Sequence, residues 1–330
     1  LDEASIEVTS PREGAYEVID FWLTNSDAMV EYFGKTYHVI GIGNRAFFGA
    51  TNLKYANLMA NCLQYIGTEA FCGCRNLDDV VFSLETRTIG DFAFAKCTSL
   101  RELHIQACVE SIGTAAFAGC SSLSKIKVNS YNPKYDSRED CNAIISTNTN
   151  TILAGCKNTK IPYSVIGIDT HAFFECTDLK EIIIPEGVTT LEKYAFMDCI
   201  ALTSVTIPES VTTIGEGAFI TCEQVEELYI PASVTNIGVG AFSYCKSLKK
   251  ITVHCENPVY DSRNNCNAIV ETATNTLVAG CYTTEIDSSV NAIAASAFEG
   301  CESLTQIYLP ENVTKIASTA FVSCPRIKRI

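Results

Sequence analysis

"IPESVTTIGEGAFITC" (207–222) and "IPASVTNIGVGAFSYC" (230–245) are one pattern written twice, 23 residues apart. The dipeptide Ala-Phe marks the pattern along the chain, with its aromatic ring at Phe47, Phe71, Phe94, Phe117, Phe173, Phe196, Phe219, Phe242, Phe298 and Phe321. The spacing is 23 or 24 residues except for two gaps of 56, each equal to 23 plus 33. A short fixed period of this kind is the mark of a stacked repeat. Two repeats therefore carry the same ten-residue insertion.

Each part of the unit has a physical reading. The stretches "LKEIIIP" (179–185), "LTSVTIP" (202–208) and "VEELYIP" (225–231) share an L-x-x-I-x-I frame. Period-2 alternation of branched apolar residues predicts a short strand, which the following proline ends. Val-x-x-Ile-Gly then buries two more apolar groups and turns, with Gly215 and Gly238 expected to supply unusual backbone angles. Around Ala-Phe-x-x-Cys the apolar spacing of three to four residues predicts one or two turns of α or 3₁₀ helix. A single unit cannot cover its own apolar face, but stacked units cover one another. The expectation is an α/β repeat: a right-handed solenoid with a continuous parallel β-sheet along one side and short helical turns. Residues 38–330 would form it, as about 12 repeats with 33-residue units near 128–160 and 253–285. Residues 1–37 are expected to be an N-terminal tail and a cap of two or three antiparallel strands, with Tyr16, Trp22 and Phe33 covering the core.

The frame L-x-x-I-x-I-P-x-x-V-x-x-I-G-x-x-A-F-x-x-C resembles the BspA-like leucine-rich repeat family over residues 38–330. The resemblance implies an exported, extracellular or cell-surface protein of the kind found on anaerobic bacteria. It also implies a non-enzymatic adhesin that binds host or microbial surface proteins or glycans. A chain beginning at Leu1 rather than Met fits a mature form whose signal peptide has been removed.

Composition narrows the partners. The net charge is −14, and 47% of the 330 residues are hydrophobic. A large core is available, while a nucleic-acid backbone or an anionic membrane is a poor main partner. No run approaches the roughly 20 apolar residues of a membrane-spanning helix.

Seventeen cysteines are present, and nine follow the repeat phenylalanine by three residues. These are Cys74, Cys97, Cys120, Cys176, Cys199, Cys222, Cys245, Cys301 and Cys324. In-register stacking lines them up as a ladder of small buried groups with weak S–H donors. One cysteine per layer without histidine is not a zinc set, which takes ligands two to four residues apart. Strands lie about 4.7–4.9 Å apart, wider than the ~3.8 Å that disulfide Cβ atoms want. No metal or other cofactor is expected. The remaining cysteines are Cys62, Cys72, Cys108, Cys141, Cys156, Cys255, Cys266 and Cys281, whose pairing the sequence leaves open. Cys141 and Cys156 could meet at the base of a hairpin.

The insertions read "NPKYDSREDCNAIISTNTNTILAGC" (132–156) and "NPVYDSRNNCNAIVETATNTLVAGC" (257–281), 125 residues apart. Asp136, Arg138, Asp140 and Cys141 look like chemistry when read alone. Yet Asp140 becomes Asn265, and His171 becomes Ser296 in the second copy. A nucleophile without a base is not a catalytic set, and Asp136 or Asp261 offers too few carboxylates for calcium. What both copies keep are turn formers and two short apolar runs, so each insertion predicts a β-hairpin. Asp136 and Arg138 would satisfy its loop, and no catalytic or metal-binding residues are assigned.

Function would then lie on the outward row of the sheet. Its candidate positions are Tyr55, Glu102, His104, Lys125, Lys127, Glu181, Glu227, Tyr229, Lys250 and Tyr308. These positions vary while the frame repeats. That suits an extended binding surface, and it also suits a merely solvated face. A structural spacer in a larger surface protein is the alternative.

Overall fold

The computed structural model describes residues 5–9, 20–23, 29–32 and 35–328. It divides into two compact units, Leu1–Lys160 and Ile161–Ile330. Each is a stretch of β-solenoid built on two strand rows, where the sequence predicts a single sheet.

In the first unit the long row holds the I-x-I strands. Asp20–Trp22, Tyr55–Leu58 and Asp79–Phe82 run parallel, and Glu102–Ile105 pairs in parallel with Lys125–Val128. The second row is built from two-residue strands, Tyr65–Ile66, Thr88–Ile89 and Ser111–Ile112, led by Lys35–Ile42. The second unit repeats the scheme. Glu181–Ile183 pairs with Ser204–Thr206, and Glu227–Ile230 with Lys250–Val253. Its short row runs Gly167–Ile168, Thr190–Leu191, Thr213–Ile214 and Asn236–Ile237. Leu191 and Ile214 of that row are buried while Thr190 and Thr213 beside them are partly exposed, the ordinary alternation of a strand.

The N-terminal strands depart from the expected antiparallel cap. Met29–Tyr32 is antiparallel to Lys35–Ile42. Ser5–Val8 and Asp20–Trp22, however, join the two rows in parallel, as a repeat would. Tyr16, Phe33 and the Trp22 side chain lie outside the described residues.

The Ala-Phe segment is not helical. Among the described residues no α-helix forms, and 3₁₀ turns occur at Arg138–Asp140 and Arg263–Asn265. Instead, left-handed residues flank each phenylalanine: Glu69 (φ 54°) and Gly73 (φ 77°) around Phe71, and Tyr194 (φ 58°) and Asp198 (φ 60°) around Phe196. This path turns alternate N–H groups along the stack. Phe71 N–H donates to the Ala93 carbonyl at 2.7 Å, and Phe196 N–H to the Ala218 carbonyl at 2.8 Å. A helix would have spent those donors within its own turn. The turn is thus a third hydrogen-bonded row, and its rings stack. Phe47, Phe71 and Phe94 have successive centroids 5.0 Å apart, and Phe173, Phe196 and Phe219 are 5.0 and 5.2 Å apart, all within 10° of parallel. Burying each ring contributes roughly 1.5–3 kcal/mol.

Gly215 and Gly238 correct a second expectation. Neither lies in the left-handed region. A Cβ would stand 2.6 Å from the Glu192 carbonyl carbon at Gly215 and 2.2 Å from the Glu216 nitrogen at Gly238. These glycines let successive backbones approach.

Candidate binding face

The long row sets up the face by alternation. Within Glu102–Ile105, Leu103 and Ile105 are buried while Glu102 and His104 face solvent. The register then places Lys125 beside Glu102 and Lys127 beside His104. Tyr55 is half-buried in its layer. Asn57, two residues on, is buried, and its Oδ1 accepts the Met59 N–H at 3.1 Å, folding back on its own turn. In the second unit Glu181, Glu227 and Lys250 are exposed. The large side chains here are Ile183, Tyr229 and Tyr308, which are 82%, 43% and 92% exposed. The Tyr229 ring meets His254 edge-on, with centroids 6.4 Å apart. An open groove beside Tyr308 includes Glu285, Gln306 and Lys328.

Charges on this face pair between neighbouring strands. Lys125 Nζ donates to Glu102 Oε2 at 2.7 Å, and His104 Nε2 lies 3.3 Å from the same oxygen. The hydrogen bond from Lys125 holds the Glu102 carboxyl below its ordinary range. Lys250 reaches Glu227 at 3.3 Å, and Lys249 reaches Glu226. Pairs this exposed are screened by water and add little to stability.

The insertions form the expected hairpins. Ile144–Ser146 pairs antiparallel with Thr151–Ala154, and Ala268–Glu271 with Thr276–Gly280. The acid and the cation that resembled an active site are a clamp. Arg138 Nε and Nη2 donate to Asp136 at 2.9 and 2.7 Å, and Nη1 donates to Asn150 Oδ1 at 3.1 Å across the hairpin. Arg263 repeats this with Asp261 and Asn275, and Nη1 also donates to Ser289 Oγ at 2.8 Å.

Three further polar residues per copy do structural work that single-motif reading misses. Buried Asn132 donates to the Gln106 and Val109 carbonyls of the preceding coil and accepts from the Lys134 and Tyr135 N–H groups. Asn257 makes the equivalent four bonds. The Tyr135 hydroxyl accepts the Ile112 N–H at 2.9 Å, and the Tyr260 hydroxyl accepts that of Ile237 at 3.1 Å. Thr159 and Thr284 donate to the Asn142 and Asn267 carbonyls at 2.6 Å. Retention at a constant offset of 125 was the signal available.

None of the seventeen cysteines is in a disulfide. Seven ladder thiols point at the phenylalanine carbonyl of the preceding repeat. Examples are Cys97 to Phe71 at 3.2 Å, Cys199 to Phe173 at 3.2 Å and Cys222 to Phe196 at 3.3 Å. Burial pushes the Cys74 and Cys245 thiols up to about 12 and raises Cys97 and Cys222 well above the ordinary value. Cys141 and Cys156 do not bond; their thiols turn to the Ala143 and Asn142 carbonyls. Burial raises Cys141 to about 11. Thiols buried and held protonated in this way are poor nucleophiles. Cys108 and Cys255 are exposed. No group of three metal-ligating side chains occurs among the described residues.

The profile of the BspA-type leucine-rich repeat region matches residues 40–153, 143–269 and 275–330. The chain belongs to the BspA-type leucine-rich repeat family. This BspA-type chain shares its fold with the pneumococcal vaccine antigen PcpA (17% identity, TM-score 0.61, covering 98% of this chain and 90% of that one). A leucine-rich repeat protein from Bacteroides ovatus aligns at 21% identity and TM-score 0.53, covering 99% and 90%. One from Eubacterium ventriosum aligns at 20% and 0.55, covering 87% and 80%. A comparison with curated protein sequences returned no match. No helix among the described residues is long and apolar enough to cross a membrane.

Proposed function

We propose that this BspA-type chain is a secreted or cell-surface adhesion module. It would bind a host or microbial surface protein or glycan through the long-row face, without catalysing a reaction. The observation that carries the reading is the display of Ile183, Tyr229 and Tyr308 to solvent on a frame whose inward positions are buried. Large rings held on a rigid lattice bind at little entropic cost, and tyrosine is favoured at the centre of interfaces. Family membership supports a role in protein interaction at the cell surface.

The paired charges favour a second reading. Glu102–Lys125 and Glu227–Lys250 neutralise part of the face, as a spacer module meant only to stay soluble would require. A binding screen against matrix proteins and glycans separates the two. The wild-type chain should capture a partner, and a Tyr229→Ala/Tyr308→Ala variant should lose it. Equal binding by that variant removes the sheet-face version, and the absence of any binder leaves the spacer.

A further inference from the structure

The long-row face of the first unit differs from that of the second in one respect that its paired charges conceal. In the strand layers between Arg101 and Lys160 the outward and flanking positions hold Arg101, Lys125, Lys127 and Lys160 against the acid Glu102, while the exposed Glu139 and Asp140 sit on the hairpin loop whose Cys141 carbonyl accepts the Lys160 N–H at 3.0 Å. Glu102 is already engaged by Lys125 and His104. Arg101, Lys127 and Lys160 are exposed and make no ion pair among the described residues. The register sets Lys127 beside His104. Asn158 Nδ2 donates to the Ser124 carbonyl at 3.1 Å, which lays 158–160 alongside 124–127 as the next layer. Thr159 is buried in that layer and Lys160 is exposed, so Lys160 continues the column of His104 and Lys127. Four residues beyond Lys127, Tyr131 presents its ring to solvent at 86% exposure. In the second unit, by contrast, Glu226 and Glu227 offset Lys249 and Lys250 one for one.

We propose that this column is a docking strip for an anionic polysaccharide bearing carboxylates or sulfates. The assignment rests on the adhesion reading and names a ligand class for the first unit's part of the face. Lys127 and Lys160 stand one layer apart, at the strand spacing of about 4.8 Å, an interval close to the rise of a sugar residue in an extended chain. Neighbouring charges on a linear polymer therefore meet neighbouring cations on the coil. The Tyr131 ring offers the apolar face of a sugar a stacking surface. A nucleic-acid duplex suits the strip less. One charge per about 1.7 Å of its axis meets a chain of net charge −14, and three cations cannot offset that repulsion. An acidic protein suits it less because no large apolar anchor stands on the strand face of these layers.

The test uses the full chain, with heparin and hyaluronan as probes and dextran, single-stranded DNA and poly-glutamate as comparators. Heparin or hyaluronan should bind, and affinity should fall steeply between about 50 and 200 mM salt. The Lys127→Glu/Lys160→Glu variant should bind about tenfold or more weakly, as expected of lost charge contacts. Circular dichroism and melting temperature should match the wild type, since both lysines are exposed. Lys249→Glu should bind as the wild type does. The proposal is overturned if neither polysaccharide binds at low salt, or if the double variant binds equally. It is also overturned if DNA or poly-glutamate binds more tightly than heparin. The Tyr229→Ala/Tyr308→Ala variant should keep full heparin affinity, so a failure of the strip and a failure of the aromatic face are read separately.

Discussion

The regular 23-residue turn and the inserted hairpin solve the same problem with opposite chemistry. Each must carry the backbone out of one coil and deliver it to the next without leaving polar groups stranded. The regular turn does it with an apolar column: Phe71, Phe196 and their neighbours stack, alternate N–H groups bond to the next coil, and thiols meet carbonyls. The hairpin does it with side-chain polar bonds from Asn132, Asp136, Arg138 and Thr159, and again from their copies. The first device depends on its neighbours in the column. The second is tied to one preceding coil, through the Asn132 bonds to the Gln106 and Val109 carbonyls, and otherwise closes on itself. Damage should therefore spread in one and stay local in the other.

Alkaline pH should break the column most severely. The ladder thiols have an ordinary value of 9.0, and burial holds Cys74 and Cys245 near 12. A raised folded value means the stabilisation is complete below pH 9 and is lost as pH climbs through 12. Each such thiol should then cost on the order of 4 kcal/mol relative to the ionised unfolded chain. Denaturant titrations from pH 8 to 12 should show stability falling steeply. The fall should be smaller in a Cys74→Ala/Cys245→Ala variant, and equal slopes would refute this origin.

Phe196→Ala should be the most damaging single substitution. It opens a cavity between Phe173 and Phe219, and urea unfolding should show a loss of about 3–5 kcal/mol. Gly238→Ala comes next. Its methyl group would press on the Glu216 nitrogen, and overpacking of this kind costs about 1–3 kcal/mol. Arg263→Ala should cost a comparable amount, about 1–3 kcal/mol. Its hydrogen-exchange signature should be confined to 260–290, the hairpin and its Ser289 contact, with protection around Phe196 unchanged. Loss of protection throughout the second unit would contradict the local character of the hairpin.

Much of this was legible in the sequence, for reasons that can be named. The I-x-I frame and the Ala-Phe-x-x-Cys period fix which residues are buried, because burial repeats in every layer. The turn conformation was not legible. At the position two after the phenylalanine, glycine occurs in Gly49, Gly73, Gly119 and Gly300, but Lys96, Asp198, Thr221 and Tyr244 adopt the same left-handed backbone. With mixed residues there, apolar spacing alone imitates a helix. The second strand row was hidden because two residues are too few to show alternation. On the binding face, composition displayed the charges. Only the register revealed that Glu102 and Lys125 neutralise each other while Lys127 and Lys160 do not.

The hydroxyls of Tyr135 and Tyr260 have a mechanical consequence. Where each hairpin begins, the short row hands its last N–H, at Ile112 or Ile237, to a phenol instead of to another strand. A pulled or fraying solenoid unzips by passing from strand to strand, and at those points there is no next strand to recruit. The tyrosines act as rip-stops, so tension applied to such a chain should release it in discrete steps bounded by the hairpins.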